Sequence, residues 1–150
     1  MNALAVQTQL DTLAALVVKN GVGVGRLTEP QRMLVLGLAW ASLPAGGLLR
    51  EVDVNVALKQ ALAGPCCFLG IDHVELRRWL VDCGWMQRDG FGREYRRVGA
   101  GALAQPLQLI AAILQPIDIA TWVSGLRGAS AARRERRRQA WEARGSETAP

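Results

Sequence analysis

Apolar positions recur at helical spacing along most of the chain. Over 4–18 they fall at Val6, Leu10, Leu13, Leu16 and Val17, which predicts an amphipathic helix ended by Asn20-Gly21. Thr28-Glu29-Pro30-Gln31 is a helix opening, with Thr28 as cap and Pro30 in the first turn. It leads into Met33-Leu34-Val35-Leu36 and Trp40, so 29–43 should be the most buried helix. Pro44-Ala45-Gly46-Gly47 breaks the pattern, Leu48 and Leu49 fit a short strand, and 51–63 reads as a further helix. At 72–83 Asp72 caps a helix whose Glu75 is placed to complete a capping box. Leu76, Trp79, Leu80 and Cys83 share one face of it, while Val74, Arg77, Arg78 and Val81 fall broadly opposite. Gly84 suits the left-handed residue at its end. The segments 85–88 and 93–98 then flank Asp89-Gly90-Phe91-Gly92, which predicts a tight hairpin.

After the hairpin, Leu103, Leu107, Ile110, Ala111 and Leu114 form an apolar stripe widened by Leu109 and Ile113. That is more apolar surface than a solvated helix needs, so the 103–114 helix is expected to serve a homodimer. Pro116 restarts the chain into 117–126, and Gly125, Gly128 and Ser130 punctuate before a basic helix at 131–144. The predicted fold class is mainly α with a small β-hairpin, in three segments. These are an N-terminal helix and Gly/Val linker at 1–25, a central domain at 26–98, and C-terminal helices with a basic tail at 99–150.

Charge changes this picture at one end only. The 150 residues are 50% hydrophobic, enough for one domain with its own core and accessory helices. The net charge is +5, yet 127–144 holds seven arginines against Glu135 and Glu142, which already accounts for it. A polyanionic partner for the C-terminus follows, nucleic acid being the commonest, with an acidic protein or anionic lipid as alternatives. Cys66, Cys67 and Cys83 are odd in number and lie in apolar contexts, which fits a reducing cytoplasm better than a disulfide framework. Residues 1–18 lack the charged start and cleavage pattern of a signal peptide, and 107–114 is too short to span a bilayer. A soluble, cytoplasmic protein with no membrane partner is expected.

Enzymatic chemistry finds little support. Gly21-Val22-Gly23-Val24-Gly25 lacks the spacing and the lysine of a phosphate loop. Cys66-Cys67 lacks the two-residue gap of zinc or thioredoxin motifs. His73, the single histidine, stands at a helix start without a nucleophile or carboxylate constellation. No catalytic residue, metal or cofactor is expected.

Residues 26–98 resemble the bacterial domain-of-unknown-function family 2087, small winged-helix-like modules found alone or joined to transcriptional regulators. The resemblance rests on Asp72, Leu76-Arg77-Arg78, Leu80-Val81-Asp82, Gly84, Arg88 and Gly92-Arg93-Glu94-Tyr95-Arg96-Arg97-Val98. Upstream, Asp53-Val54-Asn55 with Leu58 looks like the start of the family's second helix, and 29–43 resembles its first. The chain departs from the family pattern at Asp53 and Arg96, where Glu and Trp are more usual, and in a longer 59–71 stretch.

The resemblance implies a winged helix-turn-helix whose third helix and wing face a partner. On DNA, Arg77 and Arg78 would approach base edges while Arg88, Arg93, Arg96 and Arg97 lie near the backbone. Arg133, Arg134, Arg137 and Arg138, interleaved with Trp141, form a second basic candidate in the tail, the alternative being a disordered, solubilising basic tail. Against this, 72–98 carries six arginines but five acids, and Arg78 is spaced to pair with Asp82 or Glu75. The leading expectation is a DNA-binding, transcription-regulator-like module. The alternative is a non-enzymatic protein-interaction adaptor on the same scaffold, to which outward Val74 and Val81 would suit.

Overall fold

Thr28 opens the central helix in the computed structural model, which describes residues 2–148. Its hydroxyl accepts from the Gln31 amide, and the Gln31 side chain accepts in return from the Thr28 amide. With both donors satisfied, α2 (Glu29–Ser42) starts cleanly and buries Leu34, Val35, Leu36, Leu38, Ala39 and Trp40. Such all-round burial requires neighbours on every side. They are α1 (Ala3–Val17), α3 (Glu51–Ala63), α4 (His73–Asp82), α5 (Gln105–Leu114) and the first part of α6 (Ile119–Thr148). Gly37 lets α2 and α5 approach closely, since a Cβ there would lie 2.6 Å from Ile110 Cγ2.

β1 (Leu49–Arg50), β2 (Met86–Arg88) and β3 (Glu94–Arg97) form an antiparallel sheet in the order β1-β3-β2. Leu49 faces Tyr95, and Gln87 faces Arg96. The segment α2-β1-α3-α4-β2-β3 is thus helix-rich with one small sheet, framed by α1 before it and α5 and α6 after it. At the junction of sheet and core, Trp40 donates from its indole nitrogen to the Val98 carbonyl at 2.8 Å. The Trp85 ring lies 5.6 Å from one side of it, and the Arg97 guanidinium sits 3.9 Å from its centroid.

The long connection between α3 and α4 is held rather than loose. Val22 and Leu69 form a parallel bridge, with Val22 N donating to Phe68 O at 2.9 Å and Gly70 N to Val22 O at 2.8 Å. A side chain on Gly70 would press on the Gly21 backbone at 2.9 Å, so the close approach requires glycine. Cys66 and Phe68 are buried behind this clamp, and burial pushes the Cys66 thiol up to about 12.

Three expectations are corrected. Asp72 caps α4 by accepting from the Glu75 amide at 2.8 Å, but the Glu75 carboxylate takes the Trp79 indole N–H at 3.3 Å instead of completing a capping box. The 103–114 stripe, read as a dimer surface, is filled within one chain: Leu103, Leu107, Ile110, Ala111 and Leu114 are buried in the core around α2. Gly125, Gly128 and Ser130 do not punctuate, because α6 runs through them as one helix of 30 residues. Asp118 holds its start by accepting from the Thr121 amide and hydroxyl. Packing of its first turns on α1 and α2 then offsets the glycines' cost of about 1 kcal/mol each.

Candidate nucleic-acid interface

The outward side of α4 carries Val74 and Arg78, whereas Val81, expected to face outward, is partly buried against the core, and the adjoining β2 carries Arg88. With Arg77, Asp82 and Tyr95 these residues line a shallow groove of about 290 Å³ between helix and wing. Arg78 and Arg88 are exposed at its edge, and neither forms an ion pair among the described residues. The expected pairing of Arg78 with Asp82 or Glu75 therefore does not form.

Arg77 belongs to the floor of the groove rather than to its contact surface. Its side chain is 16% exposed and donates to Asn55 Oδ1 at 2.6 Å and Glu51 Oε1 at 3.2 Å, both on α3. Its guanidinium lies 5.1 Å from the centroid of buried Tyr95. The residue thus ties α3, α4 and β3 together, and the expectation that it reads bases is corrected. Arg77 follows Leu76 by one residue, so it sits at the border of the buried face, where a long side chain folds along its neighbours.

Arg97 is corrected in the same sense. Strand alternation puts Tyr95 and Arg97 on one side of β3 and Glu94 and Arg96 on the other. Tyr95 is core, so Arg97 turns inward, stacks on Trp40 and donates to the Leu43 carbonyl at 2.7 Å. Its half-buried position lowers its pKa below the ordinary guanidinium value through desolvation. Arg96 stays exposed and donates to Gln87 Oε1 across the strand pair at 2.9 Å.

The wing turn is built by Asp89. Its Oδ1 accepts from the Arg93 amide at 2.9 Å and the Phe91 amide at 3.2 Å, and Gly92 takes φ +68°. The Arg93 amide, first among these donors, holds the Asp89 carboxyl below its usual range. The turn projects Phe91, 84% exposed, with the Arg93 guanidinium 5.9 Å from its ring. Sequence reading missed Phe91 as a surface residue. Its position between two glycines at a hairpin tip was the available signal.

The C-terminal arginines divide too. Arg127 donates to the Val17 and Lys19 carbonyls and to Asn20 Oδ1 at 2.7–2.9 Å, anchoring α6 to the end of α1. Arg138 joins Glu135 and Glu142, each at 2.6 Å, so it braces its own helix instead of facing a partner. Arg133, Arg134 and Arg137 are exposed, as is Trp141 at 74%.

Among the described residues no three His, Cys, Asp or Glu side chains are grouped to hold a metal ion, and no single helix is long and apolar enough to cross a membrane. Residues 27–97 match the model of a family described as uncharacterized proteins conserved in bacteria (DUF2087). No curated protein and no solved structure matches the chain.

Proposed function

Taking residues 27–97 as a member of that uncharacterized bacterial family, we propose that the chain is a DNA-binding, transcription-regulator-like module that meets duplex DNA with α4 and the wing. The observation that carries this reading is the open groove lined by Arg78 and Arg88 beside the exposed Val74 of α4. In it Arg78 would approach base edges when a helix enters a major groove about 12 Å wide, and Val74 suits a thymine methyl. Arg93 and Arg96 on the exposed side of the wing lie where phosphates run. Arg77 and Arg97 support this surface from behind.

The test is a fluorescence-anisotropy titration with a random labelled duplex at two salt concentrations. Arg78→Ala with Arg88→Ala should lower affinity and flatten the dependence of log affinity on log salt by about one, the share of Arg88 on the backbone. An unchanged slope and affinity would overturn the reading.

The adaptor reading has its own support. Val52 and Val56 on α3, Val74 on α4 and Phe91 on the wing are all exposed, more apolar surface than a phosphate-tracking face requires. It predicts a partner whose affinity is indifferent to salt and is weakened by Val56→Asp but not by Arg88→Ala.

A further inference from the structure

From residue 131 to residue 146 every residue of α6 is exposed, so this arm stands clear of the core. Sixteen helical residues extend about 24 Å, with a diameter of about 10–12 Å. The arm carries six arginines against two glutamates. At 100° per residue Arg136, Arg133, Arg144, Arg137, Trp141 and Arg134 share an arc of about 160°, while Glu135 and Glu142 lie on the other side. Arg138 stands between Glu135 and Glu142 and bonds to both, so part of the acidic charge on that side is offset within the helix. What remains outward is one cationic face with an exposed indole in it.

Helices that are polar all round and unpacked hold together through paired charges or through a partner. Here the Glu135–Arg138–Glu142 link braces one side of the arm, while like charges oppose each other at Arg133–Arg136, Arg133–Arg137 and Arg134–Arg137. A polyanion laid along the arc would relieve that repulsion. The arm's width matches a major groove, and its charges fit a backbone with one phosphate charge per about 1.7 Å of axis. Arg127, bonded to the end of α1, fixes the direction in which the arm leaves the domain.

We propose that the 131–146 arm of α6 is a second nucleic-acid contact, separate from α4 and the wing, which lies along duplex DNA with Arg133, Arg134 and Arg137 on phosphates and Trp141 against the backbone sugars. Arg138 takes no part in the contact and serves as the brace of the helix.

The experiment uses the full chain and a random labelled duplex, with salt varied. Replacing Arg133, Arg134 and Arg137 together by glutamine (R133Q, R134Q, R137Q) should reduce the salt slope by about three and lower affinity roughly a hundredfold at 0.1 M salt. The lysine triple at the same positions should keep the slope. Arg138→Gln should lower the helix signal in circular dichroism and leave the slope alone. If the glutamine triple binds duplex like the unaltered chain, the arm proposal fails even if Arg78→Ala with Arg88→Ala weakens binding. It fails equally if the triple loses binding only to vesicles containing phosphatidylserine. If the unaltered chain binds no duplex at low salt, both the arm and the α4 readings fall.

Discussion

Arg77→Ala isolates the structural role of an arginine that a sequence motif places beside a contact residue. The side chain is 16% exposed, donates to Asn55 and Glu51 on α3, and covers the Tyr95 ring. The short charge-assisted bond to Asn55 accounts for about 1.5–3 kcal/mol. The ring contact adds about 0.5–1 kcal/mol. The pair with half-exposed Glu51 is worth at most about 1 kcal/mol. These terms overlap in one side chain, so a loss of about 2–3 kcal/mol is expected on truncation. At about 2–4 °C per kcal/mol for a chain of this size, Tm should fall by roughly 4–12 °C. Urea denaturation followed by tryptophan fluorescence reads the change directly. Arg78→Ala is the control, since its side chain bonds to nothing described, and it should stay within about 0.5 kcal/mol of the unaltered chain. If Arg77→Ala were as stable as that control, Arg77 would be a free surface cation and its assignment to the groove floor would be wrong. A double Arg77→Ala, Arg78→Ala protein would confound the two effects, which is why binding is tested by pairing Arg78 with Arg88.

Gly37→Ala should destabilise by about 1–2 kcal/mol in urea melts, because overpacking against the stiff Ile110 methyl outweighs the gain in helix propensity. Adding Ile110→Ala should then cost less than the two single changes summed, and strict additivity would refute the contact. Cys66 keeps its proton up to about 12 in the folded chain, against 9.0 for an ordinary thiol, so its contribution is complete below pH 9 and is lost as pH rises from there toward 12. Cys66→Ala should therefore show a shallower alkaline loss of stability, and a thiol reagent should label exposed Cys67 long before Cys66; equal labelling rates would refute the burial. Asp89 has the opposite sign: its lowered pKa supports the wing above the ordinary carboxylate value, and that support disappears as pH falls through it. Exchange at the Phe91 and Arg93 amides, corrected for intrinsic rate, should accelerate as pH falls below the ordinary carboxylate range, and no acceleration at any acid pH where the chain stays folded would remove Asp89 from the turn.

Helix starts were the most legible part of the chain, because Thr28 and Asp72 act through neighbours two or three residues away. The hairpin was equally plain, since glycine and strand alternation are local. What sequence could not supply was the partner of a face. The stripe on α5 reads identically whether α2 or a second chain covers it, and only the fold places α2 there. Among the arginines the same limit applied in degrees. Arg97 was decidable, because Tyr95 two residues earlier fixes its side of the strand, whereas the bonds of Arg77, Arg127 and Arg138 depend on long side chains that reach either inward or outward. The two glycines in α6 misled because their propensity cost is smaller than the packing that surrounds Val123 and Leu126.

The close seating of α2 against α1 and α5 gives this molecule two different boundaries. The segment that matches the family ends at residue 97, but the apolar surface of its central helix is completed by residues on both sides of that segment. Val98, immediately beyond it, accepts the Trp40 indole proton, and Val22, before it, clamps the connection into α4. Family likeness and packing are thus bounded differently: the segment that matches the family is shorter than the core that closes over its central helix. A fragment cut at the family limits would lose Ile110 and Leu114 from beside Gly37 and should behave as a sticky, partly ordered chain, while the whole should unfold in one transition.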